Sequence, residues 1–383
     1  MKKPIHVIVA PDSFKGSMSS IEIIETIKNT VETKFSNIYV EGVPIADGGE
    51  GTIEALIYKN AGTKIYKTIR DPLGRQVKAY YGVIGTKAII EMAQCSGLTM
   101  LSQDERNPLI TSSHGVGDMI KHALDDGFRE MVIGLGGSGT NDGGTGAMEA
   151  LGVKFYNKEG IELSSINGSL LKDIHRIDLS AMDQRLETCN VQVMCDVTNP
   201  LTGTQGATYV YGPQKGGDAL CLNTLEEGMK NYEYRLEETF GKKIGSIPGS
   251  GAAGGMGAAL VAFLQGELVR GIDAVLQLVN FDEKISQADL IITGEGRVDG
   301  QSAHGKVIHG ITLAGKKQQV PVIVITGGVA DGVDKIYDLG VKAILTLPNK
   351  PMTLESAMVN TKDLLQQVTY NLFQLLQLGQ SIH

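Results

Sequence analysis

The sequence predicts an α/β protein in which the two chain ends build one open parallel-sheet domain and a second α/β domain is inserted between them. Three observations predict it. Short β-branched and aliphatic runs recur near both ends of the chain. Each stops at a loop bearing glycine or proline, and most then feed a segment with helical apolar spacing. The middle of the chain mixes strand-like and helix-like segments with less order.

The first element is Ile5–Ala10, an apolar run closed by Pro11, as expected of a buried parallel strand. After the loop Pro11–Ser17, Ser19 and Glu22 stand at capping-box spacing, and Ile24, Ile27 and Val31 follow at helical spacing. Ile38–Val43 is the second strand candidate. In the middle, Val77–Ile84 and Ala88–Glu91 read as strands, while Ser113–Asp125 and Leu225–Phe240 read as helices. Near the carboxyl end, Asp289–Thr293, Val320–Thr326 and Ala343–Leu347 are three more strand candidates, and one long amphipathic helix is predicted from about Leu354 to Leu378. The predicted domains are 1–72 with 280–383, and 73–279. In an open parallel sheet, ligands sit outside the carboxyl ends of the strands, where these loops lie.

Composition narrows the function. At 383 residues the chain exceeds one ordinary core. Glycine supplies 49 residues, well above the typical share of about 7%, which points to tight turns and close backbone approaches. A formal charge of -8, few aromatics and no Trp argue against a nucleic-acid partner. No run nears the ~18 apolar residues of a membrane span, so a cytoplasmic protein without a membrane partner is expected. The four cysteines form no C-x-x-C pair and the histidines show no zinc spacing.

Five loops could carry chemistry. Lys15, in the strand-to-helix loop Pro11–Ser17, suits a phosphate or carboxylate, or is simply solvated. Asp47 and Glu50 flank a glycine pair and could hold Mg²⁺, a hard ion that takes oxygen ligands, or could cap a helix. Gly134–Gly146 holds seven glycines in thirteen residues. Exposed amides there, with Ser138, Thr140 and Asn141, would make an anion nest. Gly249–Ala259 suits either a phosphate or tight helix packing. Thr293–Lys306 nearly matches a P-loop, but Val307 replaces the Ser/Thr and the match lies too far beyond its strand. It still gathers Arg297, Asp299 and Lys306. No dinucleotide fingerprint follows the first strand and no G-x-S-x-G elbow is present. The residues alone point to an enzyme acting on a phosphorylated ligand, with phosphoryl transfer the best fit, and leave the acceptor open.

Ala10–Ser17, Pro44–Thr52, Gly134–Gly144, Asp196–Leu201, Tyr211–Gly216, Pro248–Gly255 and Thr293–Lys306 occur in an order that resembles the bacterial type I glycerate kinase family. The resemblance spans nearly the whole chain. It implies a Rossmann/flavodoxin-like sheet domain with an inserted α/β domain and an active site in the cleft. It implies transfer of the γ-phosphate of ATP, with Mg²⁺, to D-glycerate, chiefly giving 2-phosphoglycerate. Cys95 and Ser112-Ser113-His114 depart from the expected pattern without touching these motifs. On this resemblance Lys15 or Arg297 would grip the glycerate carboxylate, with Ser13 and Asn199 orienting its hydroxyls. Asp196, or else Asp47, would accept the proton, with Lys15 and Asp47 counted among the catalytic groups. Asp47, Glu50 or Asp299 would hold Mg²⁺. The nest, with Gly136, Gly137, Ser138, Thr140 and Asn141, would cradle the phosphates with Lys306. A homodimer is possible. A 3-phosphoglycerate product, another small hydroxy acid, or a non-catalytic sugar-acid sensor are the alternatives.

Overall fold

A computed structural model describes residues 4–46, 48–49, 51–58, 62–300, 302 and 306–382. Contacts divide the chain into two compact units, one of residues 1–47, 54–60 and 272–383, the other of residues 48–53 and 61–271.

The first unit is a five-stranded sheet in the order β14-β13-β12-β1-β2, with every neighbour parallel. The strands are β1 (Ile5–Val9), β2 (Ile38–Gly42), β12 (Leu290–Glu295), β13 (Val322–Thr326) and β14 (Ala343–Thr346). Continuous apolar runs are what such strands require, because helices cover both faces. Every residue of β12 and β13 is buried. The helix Ser20–Lys34 opens with the predicted capping box: the Glu22 amide donates to Ser19 Oγ at 3.2 Å and the Ser19 amide donates to Glu22 Oε2 at 2.8 Å. Its Ile24, Ile27 and Val31 join Val7, Ile292, Leu365 and Phe373 in one core. Removing each such side chain from water contributes roughly 2 kcal/mol.

The second unit carries a six-stranded mixed sheet, β11-β10-β6-β5-β4-β3. Its strands are β3 (Thr63–Arg70), β4 (Gln76–Ile84), β5 (Lys87–Glu91), β6 (Glu130–Gly134), β10 (Asn190–Met194) and β11 (Glu267–Val269). β3, β4 and β5 run antiparallel, and the remaining pairs are parallel. A small antiparallel sheet joins β7 (Lys154–Tyr156), β8 (Glu162–Leu163) and β9 (Arg176–Asp178). The core is built from Tyr81, Met119, Ile133, Phe155, Met229, Tyr232 and Met256.

Two expectations change. Pro72 marks a hairpin turn rather than a domain boundary. Asp71 holds that turn by accepting from the amides of Leu73 and Arg75, each at 2.9 Å, so β3 pairs along its length with β4 in the second unit. At the other end, Ile272 packs against Gly310 in the first unit, which moves that boundary from 279 to 271. The long terminal helix is also two helices, Leu354–Val359 and Thr361–Ile382, parted at Asn360.

The glycine-rich loops dock on one another inside the second unit. The Gly143 amide donates to the Gly254 carbonyl at 2.9 Å. Gly254 has φ +68°, and an added Cβ would stand 2.1 Å from the Thr140 carbonyl oxygen. Gly160 also has positive φ but open space around it. Denaturant titration should therefore show Gly254→Ala losing about 3 kcal/mol or more. Gly160→Ala should lose only about 1 kcal/mol, the backbone cost alone.

Candidate functional site

In the first unit's sheet, β1 and β12 are neighbours, but β1 connects onward to β2 on one side while β12 leads to β13 and β14 on the other. This is the topological switch point, where open parallel sheets leave a crevice beyond the strand ends. A cavity of about 520 Å³ opens there, lined by Asp12, Ser13 and Lys15 after β1, Glu295 and Arg297 from the end of β12, and Lys306. Its size is that of a site for a sizeable small molecule.

Local hydrogen bonding explains how the loops hold these groups. The Asp12 amide donates to the Gly294 carbonyl at 2.9 Å, prolonging the β1–β12 pairing past the strand. Phe14 and Met18 then exchange amide–carbonyl bonds at 2.8 and 3.0 Å, and Gly16 takes φ +76° in the turn between them. That leaves Lys15 exposed at the tip. The Ser13 amide donates to Asp12 Oδ1 at 2.6 Å, which steadies a carboxylate only 9% exposed. Farther on, Val298 and Ala330 tie the loop after β12 to the loop after β13 by bonds of 2.9 and 2.8 Å.

Glu295 is the unusual group. It is 8% exposed and receives a hydrogen bond from the Ser302 hydroxyl. Burial pushes its carboxyl above the ordinary value. The Ser302 bond and the charges of Lys306 and Lys15 pull the other way. A buried acid beside exposed cations is a feature of functional sites. Asp299 serves the turn that carries Ser302, accepting from its amide at 3.3 Å.

In the second unit the glycine loop departs from expectation. Thr140 and Asn141 have no exposed surface and Ser138 is 9% exposed, so these side chains form no exposed nest; Gly136 and Gly137 are the more open of the predicted residues there. The reason is Asp142, which has no exposed surface. Its Oδ2 accepts from the Ser113 amide and hydroxyl, at 2.7 and 2.8 Å, and its oxygens also take the amides of Gly144 and Gly146, at 3.2 and 3.3 Å. Burial raises its carboxyl, and those bonds oppose the rise. Ser113, a departure from the expected pattern, is thus an anchor of the loop.

Asn199 is used internally: its Oδ1 accepts from the Tyr211 hydroxyl at 2.7 Å and its Nδ2 donates to the Gln205 carbonyl at 2.8 Å. Asn199 is half-buried, and one amide proton and one acceptor position remain beyond these two bonds. Asp196 is exposed, with Oδ1 accepting from the Gly271 amide at 2.7 Å, so it is steadied without being buried. Among the described residues no group of three His, Cys, Asp or Glu is placed to hold a metal. Asp47 and Glu50 lie outside the described residues. No helix among those residues is long and apolar enough to cross a membrane.

The chain matches the Glycerate kinase family over residues 7–377. It is 40% identical to "Glycerate 2-kinase" of Escherichia coli (strain K12), over 98% of this chain and 99% of that protein. It is 41% identical to a "Glycerate kinase" of Halalkalibacterium halodurans, over 96% and 97%. The chain belongs to the glycerate kinase family. A crystal structure assigned as glycerate kinase 2 of Salmonella typhimurium LT2 superposes with a TM-score of 0.87 at 38% identity, covering 98% of this chain and 99% of that one. The chain is therefore a kinase with the two-domain α/β fold of its family.

Of the predicted site residues, this kinase gathers Ser13, Lys15, Arg297 and Lys306 around one cavity. Sequence reading gave no role to Asp12 or Glu295, which line the same space. Both were visible as acids directly after apolar runs. Lys215, within the motif Tyr211–Gly216, has no role assigned from the sequence. It is 1% exposed, and its Nζ donates to the Thr140 carbonyl at 2.6 Å. Burial pushes it down to about 7, while Asp142 pulls it up.

With the folded value near 7 and the ordinary one at 10.5, the unfolded chain holds this proton between those limits and the folded chain does not. Stability then rises with pH across that window, and below about 7 the full cost of burying the charge is present. Lys215→Met should remove this slope. Paired melting curves of wild type and variant from pH 6 to 10 would check it, and parallel curves would show that burial leaves Lys215 unshifted.

Proposed function

We propose that this kinase transfers the γ-phosphoryl group of ATP to the C2 hydroxyl of D-glycerate, releasing ADP. One observation carries the reading: Lys15, Arg297 and Lys306 converge on a cavity that also presents Asp12 and Glu295, at the switch point of a parallel sheet. Phosphoryl transfer needs positioned cations and a metal more than a covalent nucleophile. The name of the Escherichia coli relative supports attack by the second hydroxyl. Small-molecule partners and a cytoplasmic location belong to the same reading.

The carboxylates fit Mg²⁺, which is commonly held by one or two carboxylates together with substrate phosphates and waters. Asp12 and Glu295 are the residues that would hold it. Mg²⁺ held there would supply neutralisation of phosphoryl negative charge. Lys15 and Lys306 bind phosphoryl oxygens as point charges, and Arg297 offers a planar fork to the glycerate carboxylate. Ser13 orients a substrate oxygen. Asp196 is the base that accepts the hydroxyl proton, its carboxylate steadied by the Gly271 amide.

Purified protein with Mg-ATP and D-glycerate should give signal through enolase alone, which reports 2-phosphoglycerate. Signal only after phosphoglycerate mutase is added would move the attack to the terminal hydroxyl. Asp196→Asn should lower kcat by about 100-fold or more with an unchanged melting temperature. Near-normal turnover would remove Asp196 from the mechanism.

A further inference from the structure

The cavity has two chemical ends, and the phosphoryl reading uses only one. Away from the cations it is bounded by Phe14, Leu347, Leu354, Ala357 and Met358. Leu354 is 77% exposed, an apolar side chain left in water at the rim of a cavity. The two polar side chains within this wall are engaged locally. The Ser17 and Thr361 hydroxyls stand within hydrogen-bond reach of each other and of the Met358 carbonyl, at 3.2 and 2.9 Å from the latter, so the single proton of each is used inside this cluster. The wall is therefore fastened to the turn that carries Lys15, with its hydroxyl protons already committed.

A three-carbon hydroxy acid has no use for such a wall, and about 520 Å³ far exceeds what it would fill. A nucleoside triphosphate has the matching polarity: a polyanionic end for the lysines and arginine, and a flat base for aliphatic side chains and a methionine sulfur. We infer that Leu347, Leu354, Ala357 and Met358 seat the base of the donor nucleotide and select little among bases. This rests on the reading that the donor is a nucleoside triphosphate. The lack of selection follows from chemistry. Apolar walls separate similar ligands by about 10- to 200-fold, whereas sites built to hydrogen bond a ligand edge reach 10⁴ or more. Among the described residues the wall's two hydroxyl protons are committed to this local cluster, so the wall offers a base edge no free side-chain donor and only two hydroxyl oxygens as acceptors.

The test compares ATP, GTP, CTP and UTP as donors to D-glycerate, in wild type and Leu354→Ser. Leu354 is exposed and outside the phosphate machinery, so the variant should fold. The four kcat/KM values should lie within about 200-fold of one another. Leu354→Ser should raise the KM for ATP about five- to tenfold. It should leave the KM for glycerate and inhibition by tripolyphosphate, which has no base, unchanged. Preference for one base by about 10⁴ would overturn the inference, as would an ATP KM indifferent to Leu354. Calorimetry with ADP separates this inference from the broader one. ADP binding weakened by Leu354→Ser, in protein that phosphorylates no glycerate, would keep the base seat and reject the proposed reaction. Glycerate phosphorylation with ADP affinity unchanged in the variant would reject the seat alone.

Discussion

The second unit depends on a carboxylate that never meets water. Burying an ionised acid is costly unless its oxygens are hydrogen bonded. Asp142 meets that demand with the amides of Ser113, Gly144 and Gly146 and the Ser113 hydroxyl. Those donors sit at the starts of two helices, His114–Asp125 and Thr145–Ala150, whose first amides have no partners within the helix. One side chain thereby fixes two helix ends and the end of the glycine loop that leads into the second. Backbone must then pass close to backbone, and glycine is the residue that allows it: a Cβ on Gly143 would stand 2.6 Å from the Tyr232 ring. Gly143, Gly144 and Gly146 are thus packing requirements around this acid.

The first unit follows a different logic. Its strands are apolar on both faces, so few polar groups are found until the strands end. At those ends the parallel direction collects every loop on one edge, and the reversal between β1 and β12 parts two of them. Asp12 and Glu295 are the first acids after their respective apolar runs, and Lys15 and Arg297 follow within three residues. Short tethers of this kind place opposite charges around one space without long, entropically expensive loops.

The parallel strands were legible because each apolar run is continuous and ends at glycine or proline. The Ser19–Glu22 cap was legible because its spacing is local. What escaped was decided at a distance. β3 alternates weakly, and only its pairing with β4 shows which unit it joins. The break at Asn360 leaves helical periodicity intact on both sides, so periodicity could not reveal it. Thr140 and Asn141, in the loop that Asp142 anchors, are also packed against Gly254, more than a hundred residues away. Lys215 looked like any lysine in a turn until Thr140 covered it.

Three buried ionisable groups can now be separated by how completely they are satisfied. Asp142 has donors on both oxygens, so its charge serves the architecture. Lys215 has three protons to donate and, among the described residues, one acceptor for them. Among the described residues Glu295 takes one hydroxyl where a carboxylate can accept several bonds. Stability alone would favour an apolar side chain at either place, because an incompletely paired buried charge costs more than it returns. Glu295 faces a cavity with cations opposite, so its unfilled capacity is what a ligand or metal would complete. Lys215 faces the loop that Asp142 anchors, so its proton inventory acts on the backbone of Thr140 and not on solvent. The two departures from good packing therefore mark different things: a carboxyl facing a cavity lined by cations in one unit, and a proton-sensitive support for a glycine loop in the other.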